Sequence, residues 1–137
     1  MTYTFDYFVG ELKCSDCGHI TDKSEQINMQ TKICRTPRLA RYSIGDKLEI
    51  DHASIGYVTL TPPKIESSFS LIDCWDCPNC GKTFNWARIT IHQDTIQLME
   101  SIELNSDNIA STNYINEEVI YFGWRISDGI AVKTTAP

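Results

Sequence analysis

A mainly β fold is predicted by three observations. Apolar residues recur with a period of two along most of the chain, short runs of β-branched and aromatic residues alternate with Gly, Pro and Asp turns, and two Cys-x-x-Cys-Gly pairs lie about sixty residues apart. The first two observations set the strand content. The third offers a way to pin those strands together through one metal ion.

Taken in order, Tyr3, Phe5, Tyr7 and Val9 alternate with Thr4, Asp6 and Phe8, which reads as a strand leading into the first cysteine pair, Cys14 and Cys17. Ile27, Met29, Thr31 and Ile33 repeat the alternation. Tyr42 to Ile50, Ile55 to Leu60 and, after the Pro62-Pro63 break, Ile65 to Ile72 read as further short strands. Residues 18–76 are too many for a simple ribbon hairpin, so an inserted β-subdomain, a small barrel in its simplest form, is expected between the two pairs. Beyond the second pair, Cys77 and Cys80, the segment at about 84–132 is expected to add C-terminal strands. Ile96, Leu98, Ile102 and Leu104 mark one of them. Val119 to Ile126, with Gly123 as a bulge, marks a second, and the Asp128-Gly129 turn leads to Ile130, Ala131 and Val132 as a third. Only Lys133 to Pro137 read as frayed. The 137 residues are expected to form a single domain, since a chain of that length builds about one core.

The cysteines carry the chemistry. In Cys14-Ser15-Asp16-Cys17-Gly18 and Cys77-Pro78-Asn79-Cys80-Gly81 a two-residue gap lets one tight turn point both thiolates at one ion, and the glycine permits the left-handed backbone that follows such a turn. Four Cys ligands fill the shell of a tetrahedral Zn²⁺ and leave no position for substrate or activated water. One structural zinc held by Cys14, Cys17, Cys77 and Cys80 is therefore expected. Six cysteines also permit three disulfides, but the N-terminal residues have no basic start followed by an apolar run, and a reducing cytoplasmic location is the expectation. Cys74 precedes Cys77 by the same spacing, so Cys74 with Cys77 is an alternative pair. Cys34 reads as a small buried residue and His19 as a surface residue beside the first pair.

Twelve basic and eighteen acidic residues give a formal charge of −6, which opposes general attraction to nucleic acid or an anionic membrane, and no apolar run is long enough to span a bilayer. The charge is unevenly spread. No Lys or Arg lies between Ile89 and Trp124, where Asp94, Glu100, Glu103, Asp107, Glu117 and Glu118 accumulate, whereas Lys32, Arg35, Arg38 and Arg41 form a basic stretch interrupted by Pro37. The histidines His19, His52 and His92 are scattered, and the chain has no HExxH, phosphate-binding Gly loop or GxSxG elbow. No enzymatic activity is expected.

The two cysteine pairs, with Lys82, Thr83 and Phe84 after the second, resemble the zinc-ribbon superfamily, in which two knuckles on neighbouring hairpins share a metal. The resemblance covers about thirty residues and implies a zinc-ribbon base carrying the insertion. In size, acidity and β-rich character the chain also resembles the small immunity proteins of bacterial toxin systems. That resemblance implies a protein that neutralises a basic toxin domain by binding and covering its active site. Its partner face is expected at Asp107, Glu117, Glu118, Tyr121 and Trp124, with Trp75, Tyr114 and Phe122 as further aromatic anchors. The alternative is a nucleic-acid-binding ribbon, in which Tyr42, Trp75, Phe84 and Trp86 stack on bases beside Arg35, Arg38, Arg41 and Arg88.

Overall fold

A computed structural model describes residues 4–127 and 130–133, and the side chains of residues 4–125. It is mainly β, built on a five-stranded mixed sheet. Its long strands are β5 (Phe69–Trp75), β6 (Asn85–His92) and β7 (Thr95–Ile102), and two short strands, β4 (Val58–Thr59) and β8 (Tyr114–Ile115), complete the order β4-β8-β5-β6-β7. β5 and β6 are antiparallel, with Leu71 opposite Ile89 and Trp75 opposite Asn85, while β8 runs parallel to β5. A second mixed sheet has the order β2-β1-β3, from β1 (Asp6–Phe8), β2 (Met29–Thr31) and β3 (Arg41–Tyr42). A separate antiparallel pair, β9 (Trp124–Ser127) and β10 (Ile130–Lys133), ends the described chain.

Because side chains alternate across a strand, the central sheet feeds two cores. Phe69, Leu71 and Trp75 of β5, with Ala87, Ile89 and Ile91 of β6, join Phe8, Ile27, Met29 and Ile33 on one face. Ile72 points the other way. It packs with Ile109, Ile115, Val119 and Trp124, and Trp86 and Ile102 lie against them. β5 is thus covered on both faces, which is why its sequence Leu71-Ile72 reads as a continuous apolar run rather than an alternation.

Several sequence expectations change in register. In β1 the buried side chains are Asp6 and Phe8, not Phe5 and Tyr7, whose rings stack edge to face on the outer side. Asp6 can be buried because its Oδ1 accepts from the backbone N–H groups of Arg38 and Ala40, which anchors the loop before β3. Along β7 a bulge at Gln97 breaks the even-numbered alternation, so Ile96 and Met99 are buried and Leu98 is exposed. Tyr42 to Ile50 is not one strand. β3 ends at Tyr42, a turn at Gly45 follows, and Lys47 and Ile50 make isolated bridges to Thr95 and Cys34.

Two short helices stand where the sequence predicts none. α1 (Ser106–Ala110) starts at Asn105, whose side chain accepts from the Asn108 N–H at 2.8 Å. α2 (Glu118–Tyr121) replaces the first half of the strand expected over Val119 to Ile126, and only Trp124 onward is extended. The Asn116 side chain accepts from the Glu118 N–H at 2.9 Å, which turns the chain into the helix and lets Val119 point into the second core. The Asp128-Gly129 turn, Tyr3 and residues 134–137 lie outside the described residues; Lys133 closes β10. No described helix is long and apolar enough to cross a membrane.

Candidate metal centre

The second cysteine pair is the tip of the β5–β6 hairpin, and the first is the tip of a smaller hairpin closed by the Lys13–Ile20 bridge. The two turns are built alike. The Gly18 N–H donates to the Cys14 carbonyl at 3.1 Å and the Gly81 N–H to the Cys77 carbonyl at 2.9 Å. The Cys14 and Cys77 N–H groups donate to the carbonyls of His19 and Lys82, each at 2.9 Å. Gly18 and Gly81 both sit at φ 77°, and a Cβ at either would meet nothing within 4 Å. The backbone angle, not lack of space, is what selects glycine there.

These turns bring Cys14, Cys17, Cys77 and Cys80 together, with all four sulfurs within 4.8 Å of one another. The Cys14–Cys80 separation is 3.7 Å and the Cys17–Cys77 separation 3.6 Å. Sulfurs at 2.3 Å from a tetrahedral Zn²⁺ would lie about 3.8 Å apart, so the spacing fits one metal ion and is far too long for a disulfide. The first cysteine of each pair is buried and the second exposed.

The electrostatics of the cluster bears on what it can hold. Burial opposes ionisation of Cys14, but the backbone N–H groups of Cys17 and Asp16, and the neighbouring thiols Cys80 and Cys77, outweigh it and bring the thiol down to about 6. Cys17 is lowered by the Asn79 amide and the backbone at His19. Cys80 goes the other way. Despite a favourable backbone contact at Lys82, desolvation and the adjoining thiols push it up to about 12. Four such groups cannot all carry negative charge in one place unless a metal ion compensates them.

Sequence reasoning missed two supporting side chains. Asn85 is buried, accepts from both the Ser15 N–H and hydroxyl, and donates to Cys14 Sγ at 3.7 Å, while Asn79 donates to Cys17 Sγ at 3.5 Å. They orient the sulfurs as outer partners orient metal ligands generally. Asn79 lies inside the Cys-x-x-Cys gap, and Asn85 follows the pair by a few residues at the start of β6. Neither position carries a signal distinct from an ordinary turn asparagine.

The remaining candidates fall elsewhere. Cys74 lies on β5 opposite Trp86, outside the sulfur cluster, and desolvation with the nearby Asp73 pushes its thiol up to about 12. Cys34 is buried in the first core. His19 pairs with Glu25, His52 sits between Asp94 and Glu66, and His92 bonds the Ser68 hydroxyl, so the three histidines face three different neighbourhoods. Arg35 and Arg41 are tied to backbone carbonyls, and Arg88 reaches Asn108 and Ser111 around α1.

Of the expected partner face, Asp107, Glu117 and Tyr121 are exposed and Glu118 half-buried. Trp124 is the correction. Only 8% exposed, it belongs to the second core together with Ile72 and Val119, and Trp75 is likewise buried in the first core. The exposed aromatic rings are instead Phe84, Phe122 and Tyr121, with half-buried Trp86 beneath; ring centroids of Phe84 and Phe122 lie 4.9 Å apart and of Trp86 and Phe122 5.4 Å apart. Comparison with protein-family models, curated proteins and solved structures finds no match for this chain.

Proposed function

We propose that this protein is a non-enzymatic, zinc-stapled protein-binding module. Zinc suits the site because a tetrahedral set of four thiolates matches its preference, and the arrangement of two like knuckles on two hairpins is that of a zinc ribbon. The observation that carries the structural role is the ligand set itself. Four sulfurs at tetrahedral spacing leave no coordination position for a substrate, so the ion cross-links the Lys13–Ile20 hairpin to the β5–β6 hairpin and does no chemistry.

The biological form of that module is an immunity or antitoxin protein, which neutralises a basic toxin domain by covering its active site in the bacterial cytoplasm. Support comes from the charge. Among the described residues no Lys or Arg lies within ion-pair distance of a carboxylate, and the pairs that do form all use histidine. Apart from Asp94, which His52 contacts, the carboxylates of the C-terminal half are therefore open to a partner and available to steer association. Co-expression with a basic toxin domain identified by sequencing the neighbouring genes should restore growth and yield a stoichiometric complex on gel filtration. Growth arrest that persists in the presence of folded, metal-loaded protein rejects this reading.

A further inference from the structure

Phe84, Trp86 and Phe122 form an aromatic ridge along one cavity, and Phe84 also lines a second. The first is a cavity of about 790 Å³ beside the first knuckle, floored by Trp124. The second is a cavity of about 1050 Å³ whose wall carries Asp76, Glu117 and Glu118, with buried Asp73 at its base and Lys32 as its one cationic side chain among the described residues. Ile120 and Tyr121, 45% and 75% exposed, extend the apolar surface from Phe122.

The backbone marks this ridge as costly to maintain. Phe84 sits at φ 59°, in the left-handed region that bulky side chains avoid, and its ring is left 36% exposed rather than packed away. A strained residue persists where its surroundings over-determine it, and such residues concentrate at binding sites. Aromatic and contiguous, with Phe84 and Phe122 exposed over half-buried Trp86, the ridge has the composition of an interface centre. The adjoining carboxylates have no Lys or Arg within ion-pair distance among the described residues, so the surface presents apolar area and negative charge side by side.

We infer that this ridge and the acidic cavity behind it form the docking face for a basic polypeptide segment, one apolar side chain packing on Phe84 and Phe122 while a neighbouring Arg or Lys enters between Asp76, Glu117 and Glu118. The inference rests on the protein-binding reading and gives it a location. It also moves the face from the one expected in the sequence, because Trp124 is buried and Asp107 lines neither cavity. A phosphate backbone is the wrong occupant, since those carboxylates would repel it.

The test uses a phage-displayed random peptide library selected on the full, zinc-loaded chain. Selected peptides should pair Arg or Lys with an apolar residue. Binding of a resynthesised peptide should fall at least about tenfold on Phe122→Ser and on the double change Glu117→Lys with Glu118→Lys, and should weaken with added salt. It should be unchanged on Glu49→Lys, which lines neither cavity. Phe84→Asn is the variant that separates binding from folding: asparagine tolerates the left-handed backbone, so thermal stability should hold or rise while peptide binding is lost. Peptides that bind all four variants equally well place the interface elsewhere and overturn the inference while leaving the protein-binding reading intact. Selection of no peptide at all overturns both. Competition by a polyuridine oligonucleotide at physiological salt overturns both in favour of nucleic acid.

Discussion

Asp73 should make the protein less stable as pH rises through the weakly acidic range, and Asp73→Asn should remove that dependence. Its carboxyl lies within β5, buried, accepting from the Tyr57 hydroxyl at 2.6 Å, the Asn116 amide at 2.8 Å and the Cys74 N–H at 2.8 Å. Desolvation outweighs these bonds and raises the group from 3.8 to about 6. A carboxyl raised in the folded state holds its proton where the unfolded chain has released it. Its favourable contribution is therefore complete below the unfolded value and is lost as pH climbs through the folded one. About two pKa units correspond to a loss of ~3 kcal/mol across that window, or about 10 °C in Tm for a chain of this size. Asparagine has no charge to bury. Its oxygen can keep the Asn116 and Cys74 bonds, and its NH2 can donate to Tyr57 Oη once the Tyr57 proton turns to Thr31 Oγ1, 2.8 Å away. Urea unfolding of both proteins in excess Zn²⁺ measures the effect, because their difference cancels the pH dependence of metal binding. From about pH 5 to 7.5 the variant should gain on the parent by about half of the full amount. A difference that stays constant over that range, or grows in the parent's favour, refutes the argument.

The metal centre predicts about one zinc per chain in native protein, and unfolding when a strong chelator removes it; Cys17→Ser or Cys80→Ser should lower Tm steeply, whereas Cys34→Ser should be mild. Elemental analysis and thermal scans decide this, and a folded protein with reactive thiols and no metal would sink it. Trp124→Ala should cost about 3–5 kcal/mol by denaturant titration, because it empties the second core, while Tyr121→Ala on the surface should stay within about 0.5 kcal/mol. Gly56→Ala should destabilise by about 1–2 kcal/mol, since Gly56 has φ +82° and a Cβ there would approach Lys32 Cβ to 3.2 Å.

The metal site was readable in the sequence because a Cys-x-x-Cys-Gly turn is a local device: spacing and glycine specify the geometry without help from distant residues. The β character was readable for the same reason, since alternation at Ile27, Met29, Thr31 and Ile33 is a local pattern, and all four side chains are buried. Registers were not. Which face of β1 turns inward depends on whether buried Asp6 finds partners, and it finds them in Arg38 and Ala40, more than thirty residues away. The longest strand named by no alternation is β6, where Asn85 joins the buried side only because Cys14 and Ser15 arrive beside it. At α2, the β-branched Val119 and Ile120 suggest a strand by propensity, but the turn held by the Asn116 side chain on the Glu118 N–H and the apolar pocket beneath Val119 override it.

The metal site and the aromatic ridge are coupled through a short stretch of backbone. The Lys82 carbonyl accepts from Cys77, and the Asn85 side chain bonds Ser15 and the Cys14 sulfur, so both neighbours of the Thr83-Phe84 pair are fixed by the knuckles. Phe84, at φ 59°, lies between those anchors. A metal held by Cys14, Cys17, Cys77 and Cys80 would close the two hairpins and thereby also steady the angle at which Phe84 meets Phe122 and Trp86. An ion bound by the four sulfurs would therefore hold the exposed Phe84 at its angle as well as cross-link the two hairpins, without itself offering an open coordination position.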